Sequence, residues 1–145
     1  MATTRPPAVA GTFYPDDPRE LTRMVEGFLR DGAPREGRPA PKAIIAPHAG
    51  YVYSGPIAGS AFGAIAANAD VIKRVILVGP AHFVPIRGLA LPGDPWFATP
   101  LGEVRVEPEG AQASMRLPQV RVITPVLVAL SIVKSLPDFE CATIV

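Results

Sequence analysis

The sequence contains two histidines, and each directly follows a short apolar run. His48 sits in Ala46-Pro47-His48-Ala49-Gly50-Tyr51 after the run Lys42–Ala46, and His82 sits in Gly79-Pro80-Ala81-His82-Phe83 after Lys73–Val78. Neighbouring strands lie ~4.8 Å apart. Two imidazoles on the same edge of a sheet can therefore reach one ion through metal–nitrogen bonds of ~2.1 Å. Neutral imidazole is a ligand for iron, copper, zinc or nickel. The plainer alternative is that each histidine closes a strand end by hydrogen-bonding a backbone carbonyl, and both readings stay open at this point. Tyr51 and Tyr53 carry phenols that can donate to a substrate held at such an ion. The alternative is that they are amphipathic lids on the core, with Ser54 as the cap of a following helix, and this is the preferred reading for Tyr53 and Ser54. Cys141 lies in an apolar run and reads as a buried thiol rather than a third ligand. Asp94 and Glu103 are carboxylates that read as solvated loop charges.

The elements that must position these residues follow from periodicity. Leu21, Met24, Val25, Phe28 and Leu29 form one apolar stripe and predict a helix from about Pro18 to Arg30. Asp17 is its N-cap, Pro18 suits its first position, and Gly32 ends it in a left-handed conformation. Lys42–Ala46 and Lys73–Val78 are continuous apolar runs, as expected of strands covered on both faces. Between them Pro56–Ala67 predicts a helix with Ile57, Ala61, Phe62 and Ile65 inward, and with Gly59, Ser60 and Gly63 permitting close packing. The unit reads as a right-handed β-α-β crossover, with both strands' carboxyl ends on one sheet edge. Beyond it, Gly88–Leu91, Glu103–Val106, Val120–Ile123, Val126–Leu130 and Ala142–Val145 read as short strands, and Pro108–Leu117 as a poor helix. The fold class is α/β, a mostly parallel sheet flanked by helices, in a single domain over 1–145.

Composition narrows the function. A net charge of +1 carries no electrostatic footprint for nucleic acid or an anionic membrane. No apolar run approaches the ~20 residues of a membrane span. One cysteine excludes an internal disulfide and fits a reducing compartment, so a cytoplasmic location is expected. There is no G-x-G-x-x-G and no Gly-Lys-Ser/Thr sequence to cradle a nucleotide. The final apolar run, Ala142–Val145, reads as an uncapped core strand at the edge of a shortened domain.

The segments VAGTFYP, IIAPHAGYVYSG at Ile44–Gly55, VILVGPAHFVPI at Val75–Ile86 and TPLGEVRV at Thr99–Val106 resemble the Memo family, called AmmeMemoRadiSam system protein B in bacteria and archaea. The resemblance implies a fold similar to the class III extradiol dioxygenases and a metal site whose histidine ligands match His48 and His82, with iron or copper as the ion. It also shows departures. Where the family carries a His-Ser-x-Glu-type segment, this chain has Leu130-Ser131-Ile132-Val133. The family's cysteine ligand belongs to a C-terminal half that has no counterpart here, and Cys141 does not match it. The resemblance thus implies a C-terminally shortened metal-binding member of the AmmeMemoRadiSam system. Such a member does not turn over by itself and is completed by a protein partner or a complementing C-terminal chain. A non-haem iron dioxygenase and an inactive remnant are the alternatives.

Overall fold

The computed structural model describes residues 3–33, 39, 41–82 and 85–123, together with the backbone of 130–134. The chain divides into two compact units, one built on Ala8–Ile72 and the other on Met1–Pro7 and Lys73–Ser135. Among the described residues no helix is long and apolar enough to cross a membrane.

The first unit is a helical pair, α1 (Pro18–Asp31) and α2 (Tyr51–Ala66). Helix α1 begins as its sequence predicts: Pro18 opens it, and the Asp17 carboxylate accepts from the Glu20 N–H at 2.8 Å. Leu21 and Val25 are its buried positions. Gly32 closes it, but not by a left-handed turn, since its φ is −89°. Glycine is needed there for another reason: a Cβ would lie 2.5 Å from the backbone of Gly59.

That contact explains α2. Its buried face is not the large apolar set Ile57, Ala61, Phe62 and Ile65 but Tyr51, Ser54, Gly55, Gly59 and Gly63. The three glycines recur every fourth residue and so form one stripe. A Cβ on Gly55 would run into the Phe28 ring, one on Gly59 into the Phe28 carbonyl, and one on Gly63 would stand 2.7 Å from the Gly32 carbonyl. The stripe lets two backbones approach as no side chain would permit. The helix also starts five residues before the predicted Pro56, which lies inside it. Gly55 has no Cβ to clash with the proline ring, which removes part of the usual objection to a helical residue before proline.

Lys42–Ala46 forms no strand. A strand requires a neighbour for its N–H and C=O groups. The described part of this unit holds only one isolated bridge, Ala10 with Tyr14. The segment carries no regular secondary structure, and Ile45 is 98% exposed. The predicted β-α-β crossover therefore has its helix and its second strand but not its first.

The second unit carries the strands. β1 (Thr4–Arg5), β2 (Arg74–Val78), β3 (Leu89–Pro92), β4 (Trp96–Thr99), β5 (Gly102–Arg105), β6 (Val120–Ile123) and β7 (Leu130–Lys134) pair in three small sheets. β1 runs parallel to β4, β4 antiparallel to β5, β3 parallel to β6, and β2 antiparallel to β7. The α/β class holds, while the sheets are mixed rather than mostly parallel. The run Ala142–Val145 lies outside the described residues. β4 was not legible in the sequence, because Pro95 and Pro100 flank it closely. In the turn after it, the Leu101 N–H donates to Thr99 Oγ1 at 3.1 Å, and that hydroxyl donates to the Gly102 carbonyl at 2.8 Å. Gly102 sits at φ +128°, which only glycine adopts readily.

Helix α3 (Pro108–Ser114) is shorter than expected and is capped by Glu107. This carboxylate is 7% exposed, accepts from the Gly110 and Glu109 N–H groups at 2.7 and 3.1 Å, and meets Arg74 Nε of β2 at 2.9 Å. Burial alone would raise its pKa. The two backbone donors and the guanidinium outweigh that and hold it below its ordinary value of 4.5.

Two predictions follow from these contacts. Gly59→Ala improves helix propensity by ~1 kcal/mol but drives a methyl group into the Phe28 carbonyl, so it destabilises by about 1–3 kcal/mol net. Gly27→Ala in α1 meets only the Arg30 side chain at 3.9 Å and stabilises by about 0.5–1 kcal/mol. Urea unfolding should show opposite signs for the pair. For Glu107, a folded-state pKa below the unfolded one means that its stabilising contribution is complete above pH 4.5 and lost as pH falls through the folded value. Glu107→Gln should therefore lower the melting temperature at neutral pH and flatten its decline in acid; equal acid profiles for variant and wild type would contradict this.

Candidate functional site

The His48 loop is built from the sequence upward. Ile44 to His48 lead without regular structure into Ala49-Gly50, and Gly50 is the N-cap of α2 without any side-chain cap of its own. The missing cap is replaced by the segment Phe13-Tyr14. The Tyr51 N–H donates to the Phe13 carbonyl at 2.7 Å, and a Cβ on Gly50 would lie 3.4 Å from the same oxygen. Tyr51 is 8% exposed. Its ring packs 5.5 Å from that of Tyr14 and stands edge-on to Phe28 at 6.4 Å. Ser54 lies within the helix and does not cap it. Its hydroxyl reaches back to the Ala49 carbonyl at 2.7 Å and to that of Gly50 at 3.3 Å. One backbone bond, one aromatic anchor and one hydroxyl thus brace the two residues after His48, while the imidazole itself is exposed.

The geometry separates the three polar residues that the sequence grouped. Tyr51 is the packed anchor of the loop. Tyr53 is 84% exposed and covers no core, so its reading as a lid is corrected. Ser54 is a buried brace. Tyr14, which sequence reasoning passed over, belongs with them, and burial raises its phenol above the ordinary pKa of 10.0. The signal that could have found it was the aromatic pair Phe13-Tyr14 after the glycine turn at Gly11, whose φ is +76°.

His82 belongs to the other unit. It follows β2 through Gly79-Pro80-Ala81 and is exposed; Phe83 and Val84 lie outside the described residues. β2 pairs with β7 in the register Val78 with Leu130 and Val75 with Val133. Leu130 therefore stands beside the end of β2 from which the His82 loop leaves. This is one of the two positions where the resemblance leads one to expect an ionisable side chain. Asp94 accepts from the Thr3 hydroxyl at 2.7 Å and so joins the chain ahead of β1 to the turn after β3. Glu103 is an exposed residue of β5, not of a loop. Cys141 lies outside the described residues. Among the described residues there is no group of three histidine, cysteine, aspartate or glutamate side chains able to hold an ion.

Comparison with known proteins bears on both histidine loops. The family model described as Memo-like protein matches residues 5–128. A MEMO1 family protein of Aquifex aeolicus is 40% identical over 119 residues, which cover 79% of this chain and 40% of that protein. One from Methanopyrus kandleri is 38% identical over 119 residues, covering 77% of this chain and 42% of its own length. The memo-1 homolog of Caenorhabditis elegans is 36% identical over 104 residues, covering 72% and 29% respectively. The chain spans about two-fifths of the length of the microbial relatives it matches.

If the Tyr51 ring anchors the His48 loop, removing it should cost far more than removing its exposed neighbour. Tyr51→Ala is expected to destabilise by about 3 kcal/mol or more, and Tyr53→Ala by less than ~0.5 kcal/mol. Denaturant titration of the two variants measures the difference, and comparable losses would show that the anchor is elsewhere.

Proposed function

The chain belongs to the Memo family, and from that membership we propose that it is a metal-binding protein in which His48 and His82 are ligands to one iron or copper ion. The observation that supports this best is the construction of the His48 loop. A side chain left exposed on a backbone that Phe13, Tyr51 and Ser54 hold in place is preorganised to bind something, because little freedom remains to be lost on binding. The donor types fit the ions: neutral imidazole is a good ligand for both, and a second histidine follows β2 in the same residue context of Pro-x₀₋₁-His. The donor number does not complete a site, because two neutral ligands leave the ion's charge uncompensated.

The roles follow. His48 and His82 bind. Tyr51 fixes the loop. When bound, the ion supplies Lewis acidity or redox capacity. Leu130 and Val133 offer neither a ligand nor a proton, so this chain alone is a binding protein in the AmmeMemoRadiSam system rather than a dioxygenase. Loss of a general acid or base typically costs ~10²–10⁴-fold in rate. The cytosol is its proposed compartment, where one reduced cysteine raises no conflict. Its partner is the polypeptide that contributes the remaining ligand.

Anaerobic reconstitution with ferrous iron or copper, followed by metal analysis and titration calorimetry, tests the reading. One ion per chain is expected, with affinity at least ten-fold weaker in either His48→Ala or His82→Ala and no oxygen consumption with catechols above the double variant. Binding indifferent to both substitutions would refute the ligand assignment, and clear turnover would refute the non-catalytic one.

A further inference from the structure

The stretch VAGTFYP, Val9–Pro15, supplies no ligand to the proposed site, yet it is wound tightly on itself. The Val9 carbonyl accepts from the Thr12 N–H at 3.1 Å, the Phe13 N–H at 2.9 Å and the Thr12 hydroxyl at 2.8 Å. The Gly11 N–H donates to the Tyr14 carbonyl at 2.8 Å. The turn of this knot falls at Gly11, whose φ is +76°. Space does not demand a glycine there, since a Cβ would meet no more than the Asp16 side chain at 3.5 Å, an ordinary contact. The backbone conformation demands it, because an L residue in the left-handed region holds its Cβ too close to the following carbonyl oxygen. Phe13 spends its N–H within the knot, and its carbonyl accepts from the Tyr51 N–H at 2.7 Å. That acceptor serves the first turn of α2, where Gly50 has no side chain to offer as a cap. The Gly50 carbonyl is taken up by the Tyr53 and Ser54 N–H groups at 2.9 and 3.0 Å. The Gly50–Tyr51 peptide is therefore held at both of its polar groups. The Ser54 hydroxyl holds the preceding carbonyl, that of Ala49, at 2.7 Å. All of these contacts lie within one unit, Ala8–Ile72.

We infer that Gly11 is a positioning residue for His48. Its left-handed turn aims the Phe13 carbonyl at the Tyr51 N–H, and that bond fixes the backbone by which the His48 loop enters α2. Gly11 touches neither the imidazole nor an ion; it acts through Phe13 and Tyr51. The role rests on the proposed reading of His48 as a ligand, because without that reading the same turn is only the start of a helix. If the turn opens, the fraction of chains with the loop in place falls, and the apparent affinity for an ion falls by the same factor.

The test replaces Gly11 in the full chain in two ways. Gly11→Val puts a β-branched residue at a positive φ, and Gly11→Asn puts there the side chain that best tolerates it. Both add bulk at the same open position, so a packing role for the glycine predicts like effects, whereas a conformational role predicts rescue by asparagine. Hydrogen exchange of the metal-free chain reads the turn. In Gly11→Val the Tyr51 amide should lose about ten-fold more protection than the Val25 amide of α1, the order of effect that one left-handed L residue imposes, and Gly11→Asn should restore it. Calorimetric titration with copper(II) reads the consequence: affinity about ten-fold weaker in Gly11→Val and near wild type in Gly11→Asn. Should the valine chain fail to fold, Gly11→Ala takes its place, with the same order expected against asparagine. Equal losses of protection at Tyr51 and Val25 would make the turn a general stabiliser and overturn the proposal, as would equal effects of valine and asparagine. His48→Ala separates the two claims. Copper affinity that needs His48 but is indifferent to Gly11→Val overturns the positioning role alone. Affinity indifferent to His48→Ala refutes the ligand assignment and takes the positioning role with it.

Discussion

The constraint on which the helical unit depends is the absence of side chains between α1 and α2. Gly59 faces the Phe28 carbonyl, Gly63 that of Gly32, and Gly55 the Phe28 ring. Two helices at this separation gain dispersion contacts along their backbones, and neither can slide or rotate without losing the fit. The consequence reaches the candidate site through Phe28. The ring that fills the space at Gly55 also supports the edge of Tyr51, and Tyr51 in turn holds the first turn of α2 against Phe13 and Tyr14. The His48 loop inherits its conformation from that chain of contacts.

The strand unit is organised differently. Its core is divided among small groups around Ala90, Leu91 and Phe97. Polar contacts tie the parts of this unit together: Arg74 of β2 meets the Glu107 cap of α3, and Thr3 meets Asp94. An arginine half in solvent facing a carboxylate that is buried and doubly hydrogen-bonded is a stronger link than an ordinary surface pair, because the carboxylate's charge is already fixed by the helix N–H groups. It holds α3 to the strand that leads to His82.

Each of the two histidine loops is carried by its own unit. The match to the Memo-like family model takes in both loops, and Leu130 and Val133, which lie beyond it, pair with β2. The proposed ligands His48 and His82 are present, whereas Leu130 and Val133 are not ionisable. On the proposed reading such a donor set holds an ion without turnover, since ligation needs donors, whereas turnover needs a proton donor or acceptor as well.

Residue pattern alone was enough for α1, because a capped amphipathic stripe is a local property: Asp17, Pro18 and the Leu21–Leu29 periodicity lie within one segment. The same holds for β2 and β6, and for the motifs that carry family membership. Tertiary structure decided the rest. Lys42–Ala46 has the composition of a strand, but a strand exists only with a neighbour, and its own unit supplies none among the described residues. α2 begins at Tyr51 rather than Pro56 because the Phe13 carbonyl, thirty-eight positions away, accepts the Tyr51 N–H. Gly32 reads as a left-handed helix stop, yet glycine is required there by the backbone of Gly59. In each case the sequence specified what a segment can be, and a partner distant along the chain selected which of those forms it takes.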